Sequence, residues 1–272
     1  MADNRPIGVF DSGLGGLTVL REIRKILPNE NIVYFGDIGR VPYGNKSDDI
    51  IKLYARQAEK FLLSQDVKYI VAACGTVSAV AMDTGKDLPI PFMGVVKTAV
   101  KEAVALTKNG KIGVIGTEAT INNGAHKKEI LKLLPNAEVY TRACPLFVPM
   151  VEEGIFSLGD RVAVETTERY LKEMVENGID TLILGCTHYP LLTDVIRSVV
   201  GEKVNLVNMG VSTAEELKKD LENNDLLREE NEKTYQSFFV SDKSVAFSRV
   251  AKILLGRELS DSDVKVTDVS KI

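Results

Sequence analysis

Tryptophan is absent from this chain of 272 residues, which has only two histidines and three cysteines. The cysteines, Cys74, Cys144 and Cys186, are odd in number, widely spaced and form no Cys-x-x-Cys pair. This pattern does not predict a disulfide framework. With so few histidines it also argues against a structural zinc site, so we expect no metal. The free thiols must therefore serve either packing or chemistry.

The chain also lacks an excess of positive charge and any long apolar run. Its formal net charge is −4 and its pI about 5.5, which argues against nucleic-acid and anionic membrane partners. No apolar run approaches the ~20 residues of a membrane span. The first residues run into a strand-like segment without a charged-then-apolar leader, so we expect no secretory signal and a cytoplasmic protein.

Short apolar runs alternate with longer amphipathic stretches along the chain. Continuous apolar strands separated by helices predict parallel sheets covered on both faces, and therefore an α/β fold. The expected strands are Ile7–Phe10, Ile32–Phe35, Tyr69–Ala73, Phe92–Val96, Ile112–Ile115, Glu138–Arg142, Thr181–Leu184, Val204–Val207 and Ser237–Val240. The expected helices are Leu17–Leu27, Ser47–Gln65, Ala99–Thr107, Gly124–Leu134, Asp160–Asn177, Pro190–Val200 and Val245–Leu255.

Two apolar segments of the first half recur in the same order in the second half. Segment 67–74, ending at Cys74, aligns without gaps on 179–186, ending at Cys186, and segment 6–12 aligns on 111–117. The repeat predicts two pseudosymmetric lobes, each a mostly parallel sheet flanked by helices, with a cleft between them. We expect the first lobe at 1–97 plus a returning tail at 210–272, whose last polar residues are loosely held. The second lobe is expected at 98–209.

Cys74 and Cys186 each follow an apolar run and precede a helical pattern. Ligands of parallel sheets bind beyond the carboxyl ends of the strands, so two facing lobes place these thiols on opposite sides of one cleft. A helix N-terminus lowers the pKa of an adjacent thiol towards neutrality. Inversion of a carbon centre needs a proton removed from one face and another delivered to the opposite face, which a thiolate and a thiol can do. The alternative is that both cysteines are small buried hydrophobes.

A glycine-rich turn, 11–18, follows the first expected strand. Thr18 stands where a dinucleotide-binding fingerprint has its third glycine, and no P-loop lysine follows. The turn instead favours binding of a carboxylate by backbone amides at a helix N-terminus. Asp11 could hydrogen-bond a thiol or an amine, or cap the following helix.

The sequence predicts different roles for the two histidines and the third cysteine. His188 follows Cys186 by two residues, and could raise its thiolate fraction, assist proton transfer or pack at a helix start. His126 stands beside two lysines and is expected on a solvated helix face. Cys144 has no evident counterpart in the repeat and is expected to be structural.

At these residues the chain resembles bacterial glutamate racemases, of the cofactor-independent aspartate/glutamate racemase superfamily. The matching segments are 7–13, 34–37, 41–44, 74–76, 113–117, 144–149 and Leu184-Gly185-Cys186-Thr187-His188-Tyr189-Pro190. They span essentially the whole chain. The resemblance implies two pseudosymmetric α/β lobes and interconversion of L- and D-glutamate without a cofactor, supplying D-glutamate for peptidoglycan. It also implies a homodimer.

The resemblance assigns roles to particular residues. Cys74 and Cys186 are implied as the proton-transfer residues, with Cys74 acting on D-glutamate and Cys186 on L-glutamate. Asp11, His188 and Glu152 are implied as their assistants. The implied substrate contacts are Asp11, Ser12, Pro42, Tyr43, Gly44, Gly75, Thr76, Thr187 and His188.

Four places depart from the family pattern. The family usually has Asn at Gly75, Thr-Ala at Ile38-Gly39, Pro-Gly at Lys97-Thr98 and Asp-Ser at Asn208-Met209. An amide side chain at position 75 could hold polar groups of the substrate. Loss of one hydrogen bond to a charged group lowers affinity roughly 10- to 100-fold. The change leaves both thiols in place.

Other functions stay open at this point. Gly75 favours a related racemase for a different amino acid. A catalytically weak family member that binds a partner protein is disfavoured because Cys74, Cys186 and His188 are all present. A cysteine hydrolase needs one nucleophile and an oxyanion hole, which leaves the second matched thiol unexplained.

Overall fold

The computed structural model describes residues 3–229, 233–242 and 247–271. The strands are β1 (Ile7–Asp11), β2 (Ile32–Gly36), β3 (Tyr69–Ala72), β4 (Phe92–Gly94), β5 (Lys111–Gly116), β6 (Glu138–Ala143), β7 (Thr181–Leu184), β8 (Asn205–Asn208), β9 (Gln236–Val240) and β10 (Val264–Val266). The helices are α1 (Leu17–Ile26), α2 (Asp48–Ser64), α3 (Gly75–Val80), α4 (Val95–Leu106), α5 (Glu118–Asn123), α6 (Ala125–Leu133), α7 (Phe147–Glu152), α8 (Arg161–Glu176), α9 (Thr193–Val200), α10 (Met209–Asn223) and α11 (Phe247–Leu255).

Two parallel sheets organise the molecule. The first has the strand order β10-β9-β2-β1-β3-β4 and the second β6-β5-β7-β8. Phe10 of β1 pairs with Ala72 of β3, and Ile115 of β5 pairs with Leu184 of β7. Every position of β1, β2 and β3 is buried, as expected for strands covered by helices on both faces. The predicted α/β class, with two parallel sheets flanked by helices, is confirmed.

The helices that cover the sheets are amphipathic. In α1 the side chains of Leu17, Leu20 and Ile23 are buried, whereas Arg24 and Lys25 are exposed. This spacing of three residues places the apolar side chains on one stripe of the helix. The helix packs against α10 and α11, so a single helix ties the returning part of the chain to the first sheet.

The chain crosses between the sheets twice. Helix α4 leads from β4 of the first sheet to β5 of the second, and α10 leads back from β8. The two crossing helices pack together, and the hydroxyls of Thr98 and Thr213 are 2.8 Å apart. The returning tail adds β9 beside β2 and β10 beside β9. The predicted lobe boundaries, 97/98 and 209/210, fall within α4 and α10 and stay a prediction.

Some elements differ from the sequence-based expectations. The strand expected at Phe92–Val96 ends at Gly94, because Val95 already begins α4. Strand β10 forms among the last polar residues, which the sequence predicts to be loosely held. Residues 245 and 246 of the last expected helix lie outside the described residues. Among the described helices, none combines the length and the hydropathy needed to cross a membrane.

Candidate active site

Both lobes contribute to one cavity of about 450 Å³ that contains the two thiols. Its lining is made of Ser12, Gly13, Leu14, Val41, Pro42, Tyr43, Gly44, Asn45, Cys74, Gly75, Thr76, Thr117, Glu118, Cys144, Pro145, Val148, Pro149, Glu152, Gly185, Cys186, Thr187 and His188. A larger, more open cavity of about 810 Å³ lies among Arg and Lys side chains near β9 and α1, and neither thiol lines it. The chemistry of the lining, not its volume, therefore identifies the candidate site.

Equivalent strand ends place the two thiols. Strands β1 and β3 are neighbours, and Ser12 follows the first while Cys74 follows the second. Strands β5 and β7 are neighbours in the other sheet, and Thr117 and Cys186 follow them in the same way. Parallel strands bring their carboxyl ends to one edge, so each lobe presents a hydroxyl and a thiol to the cleft.

Cys74 is held as a protonated thiol. It is 4% exposed, and its Sγ lies 3.4 Å from Oγ of Ser12. Burial raises the pKa of Cys74 to about 12, and the nearby Asp11 carboxylate contributes to the rise. At neutral pH this side chain is therefore a proton donor, although Cys74 directly precedes α3, whose dipole acts in the opposite direction.

Asp11 lies behind the cavity wall as the last residue of β1. Its side chain is almost fully buried, and the Gly13 amide donates to Oδ2 at 2.9 Å. Among the described residues Oδ1 has no hydrogen-bond partner. Burial raises the pKa of Asp11, while the positive charge of His188 and backbone amides oppose the rise. A buried carboxylate with a free oxygen is able to accept a proton or an ammonium group.

Cys186 belongs to a relay of three groups. Its Sγ lies 3.9 Å from Nδ1 of His188, and Nε2 of His188 lies 3.1 Å from Oε1 of Glu152. Burial favours the neutral imidazole, but hydrogen bonds with Cys186 and Glu152 outweigh it and raise the pKa of His188 to about 10. An imidazolium ion therefore lies beside the Cys186 sulfur, whereas the charged group nearest in effect to Cys74 is the Asp11 carboxylate. The two cysteines thus have neighbours of opposite charge.

Pro42, Tyr43 and Gly44 form one wall of the cavity, and an ionic network on the side away from the cavity holds this wall in place. The Tyr43 hydroxyl donates to Asp37, which also accepts from Nε of Arg40 at 2.7 Å. The Arg40 guanidinium stacks 4.0 Å from the ring centroid of Tyr54. Planar stacking and charged hydrogen bonds hold this segment against the cavity.

The structure brings all the sequence-predicted site residues to this place. All of them line the cavity except Asp11, which lies directly behind it. Thr117 and Glu118 also line it and were not predicted. The Oγ1 atoms of Thr117 and Thr76 are 2.9 Å apart across the cleft. The repeat carried the signal for Thr117, because it aligns this residue with Ser12.

Comparison with known proteins agrees with this geometry. The family model described as Asp/Glu/Hydantoin racemase matches residues 15–217. The chain belongs to this racemase family. The glutamate racemase of Geobacter metallireducens is 46% identical, over 94% of this chain and 95% of that protein. The predicted resemblance to glutamate racemases is therefore confirmed.

Solved structures of other racemases superpose along the whole chain. The glutamate racemase of Francisella tularensis, crystallised with D-glutamate, has a TM-score of 0.92 and 39% identity, covering 99% of this chain and 100% of its own. The enzyme of Thermus thermophilus, crystallised with beta-chloro-D-alanine, has a TM-score of 0.88 and 38% identity, with both chains fully covered.

Three of the departures from the racemase pattern lie outside the cavity lining. The amide of Gly39 donates to Oγ of Ser241 at 2.9 Å, which ties this turn to the returning tail. Thr98 bonds Thr213 between the crossing helices, as described above. Asn208 caps α10, since its Oδ1 accepts from the Gly210 amide at 2.9 Å. Of these three places, only Thr98 contributes a contact between the crossing helices, and the contacts of Gly39 and Asn208 are local to the first sheet and to the start of α10.

The prediction for His126 was wrong. This histidine of α6 is 2% exposed, not solvated. Neither ring nitrogen has a hydrogen-bond partner among the described residues, and burial lowers the pKa of His126 to about 4. The adjacent lysines misled the prediction, because Lys127 and Lys128 are exposed while position 126 faces inward with Ile130, four residues on.

Cys144, which the sequence predicts to be structural, borders the cavity. Its thiol is fully buried and donates to the Arg142 carbonyl at 3.8 Å. Burial raises the pKa of Cys144 strongly, so it stays protonated. Its backbone carbonyl accepts from the Tyr189 hydroxyl at 3.0 Å, which anchors the segment after Cys186.

Proposed function

We propose that this protein interconverts L- and D-glutamate by proton transfer between the α-carbon and the thiols of Cys74 and Cys186. The observation that carries the proposal is that equivalent strand ends of two similar lobes deliver these thiols to one cavity. The names of the related proteins support glutamate as the substrate, and one related structure contains D-glutamate.

The proposed reaction from L-glutamate begins at Cys186, which lies beside the His188 imidazolium. Cys186 acts there as the thiolate and takes the α-proton, and the electron pair of the broken C–H bond stays on the α-carbon as a carbanion. The Cys74 thiol then delivers its proton to the opposite face, which forms the D-enantiomer. The products are a Cys186 thiol and a Cys74 thiolate, so atoms and charge balance. The assistants Asp11 and Glu152 receive or return protons at each side.

Hydroxyl and backbone groups are suited to hold the substrate carboxylates. Ser12, Thr76, Thr117 and Thr187 all line the cavity, whereas no Arg or Lys side chain is among its described lining residues. Hydroxyls and amides can each donate to a carboxylate oxygen. We propose Pro42, Tyr43, Gly44 and Gly75 as the remaining contacts that give the site its shape.

The biological setting follows from the same proposal. The enzyme supplies D-glutamate for peptidoglycan synthesis, and so contributes to cell wall formation and cell shape. We propose that it acts in the cytoplasm as a homodimer, without pyridoxal phosphate or another cofactor.

Position 75 favours one alternative, a racemase whose preferred amino acid is not glutamate. Proton NMR in D2O distinguishes the two functions, by following loss of the α-proton signal in glutamate, aspartate, glutamine and alanine. We expect exchange with glutamate alone, together with formation of the opposite enantiomer. Faster exchange in another amino acid would establish the alternative, and no exchange in any of them would favour a protein-binding role.

A further inference from the structure

Gly75 and Gly185 meet backbone to backbone between the two lobes. Gly75 directly follows Cys74 and begins α3, and Gly185 directly precedes Cys186. A Cβ atom added at Gly75 would lie well under 3.0 Å from the Gly185 carbonyl oxygen, nearer than real Cβ atoms approach. It would also lie 3.3 Å from Cε of Met209. Only glycine therefore allows this approach.

Gly185 has no room to move away from this contact. Its amide donates to the Ile115 carbonyl at 2.7 Å, and a Cβ at Gly185 would press on that same oxygen. Ile115 lies in β5, which is paired on both sides by β6 and β7. The obstacle is main chain held in a sheet, which cannot rotate aside as a side chain does.

Two other glycines approach the opposite lobe, but they meet side chains. A Cβ at Gly15 would meet the Thr187 hydroxyl and the His188 ring, and a Cβ at Gly44 would meet the Thr117 side chain. Side chains can change rotamer, so these contacts can adjust. The contact at Gly75 is instead with main chain, and it lies between the residues adjoining the two thiols.

We propose that the contact of Gly75 with the Gly185 carbonyl sets the closed separation of the two lobes, and thereby the distance between Cys74 and Cys186. Met209, at the start of α10, closes the third side of this contact. The inference rests on the proposed two-thiol reaction and adds a positioning role for Gly75 and Met209. The asparagine that the family usually has at position 75 cannot be placed here unless the lobes move apart.

The rate should depend steeply on this separation. Each thiol must reach the same α-carbon from its own side, so an increase in the gap lengthens at least one proton transfer. A misplacement of about 1 Å can lower a rate about 100-fold. A single methyl group at position 75 is therefore expected to affect catalysis without touching either thiol.

The test compares Gly75→Ala with wild type, with Gly159→Ala as the matched control. A Cβ at Gly159 meets only Oγ of Ser157, at an ordinary 3.6 Å. We expect kcat per folded molecule to fall at least 10-fold in Gly75→Ala, in both directions, and to be unchanged in the control. A fall of less than 10-fold, or a loss that only follows the folded fraction seen by circular dichroism, would overturn the positioning role.

Crystal structures of wild type and Gly75→Ala provide a readout that does not need activity. We expect the separation of the Cys74 and Cys186 sulfur atoms to increase by at least about 0.5 Å in the variant, and an unchanged separation refutes the inference. If the proposed function itself is wrong, the wild-type protein will not exchange the α-proton of glutamate in D2O. If Gly75→Ala does not fold, Met209→Ala replaces it: kcat per folded molecule at least two-fold lower supports the role, and a smaller change refutes it.

Discussion

His188 places Nε2 3.1 Å from Oε1 of Glu152, with its other ring nitrogen turned to the Cys186 thiol. The imidazole therefore connects a buried sulfur to a carboxylate whose side chain is 44% exposed at the cavity. Burial alone would hold the ring neutral, yet these two partners raise the pKa of His188 to about 10. The proton on this ring is the feature that distinguishes the surroundings of Cys186 from those of Cys74.

Glu152→Gln should weaken this arrangement. The amide removes the negative charge that supports the imidazolium, so the pKa of His188 should fall and less of the protein should carry the imidazolium beside Cys186. We expect kcat with L-glutamate to decrease about 10-fold. The high-pH limit of activity should move to lower pH.

NMR titration of the His188 ring measures the shift directly. Glu173→Gln is the matched control, because Glu173 is an exposed residue of α8 that does not line the cavity. If His188 titrates at the same pH in wild type and Glu152→Gln, the carboxylate does not support the imidazolium.

Cys74→Ala and Cys186→Ala should each abolish racemisation. Without one thiol, a carbanion formed on one face cannot be protonated from the other, so both directions should slow by about 1,000-fold or more. Residual exchange of the α-proton in D2O should be confined to L-glutamate in Cys74→Ala and to D-glutamate in Cys186→Ala. Cys144→Ala is the control for loss of a thiol, because the Cys144 thiol donates to the Arg142 carbonyl and has no part in the proposed proton transfer. Equal exchange of both enantiomers in either single variant would contradict the assignment of the faces.

Asp11→Asn removes a buried carboxylate beside Cys74, with two opposing effects. Burial is the main cause of the raised pKa of Cys74, and the negative charge of Asp11 is the second cause. Removal of that charge therefore eases formation of the Cys74 thiolate. The free oxygen of Asp11 is also the proposed proton acceptor for that thiol, and loss of such a base costs about 100-fold or more. The second effect is larger, so we expect kcat with D-glutamate to fall about 100-fold.

The enantiomers have equal free energies, so kcat/KM must stay equal in the two directions and any asymmetry appears in kcat. Circular dichroism of the substrate, started from pure L- or pure D-glutamate, measures both values. An undiminished kcat with D-glutamate in Asp11→Asn would show that the carboxylate is not the acceptor. Asp194→Asn is a matched control, because Asp194 lies in α9 and does not line the cavity.

The sequence predicted what depends on local pattern. Strand β7 appears at its expected bounds, Thr181–Leu184, and the repeat located both thiols because buried parallel strands have continuous apolar runs. Short helices such as α3 and α5, six residues each, leave too little periodicity to detect. The inward position of His126 and the contact of Gly75 with Gly185 depend on packing between distant segments, which local pattern does not record.

The two histidines give the stability of this protein a predicted maximum near neutral pH. The pKa of His188 is raised to about 10, so between pH 6.5 and 10 the folded protein keeps a proton that the unfolded chain has lost. Stability should therefore fall as pH rises through this range. The pKa of His126 is lowered to about 4, so between pH 6.5 and 4 the unfolded chain takes up a proton that the folded protein does not. Stability should then also fall as pH decreases.

Substitution of His126 separates the loss of stability at low pH from the loss at high pH. In His126→Leu the acid-side loss of melting temperature should be smaller, while the alkaline side should be unchanged because His188 is intact. The variant should also be more stable at pH 7, by about 1 kcal/mol, because wild type buries two ring nitrogens without hydrogen-bond partners among the described residues. Lys127→Leu, at the exposed neighbouring position, is the control, and it should alter the pH dependence of stability on neither the acid nor the alkaline side. Melting curves from pH 4 to pH 10 test this, and an acid-side slope identical to wild type in His126→Leu would mean that His126 titrates normally in the folded protein.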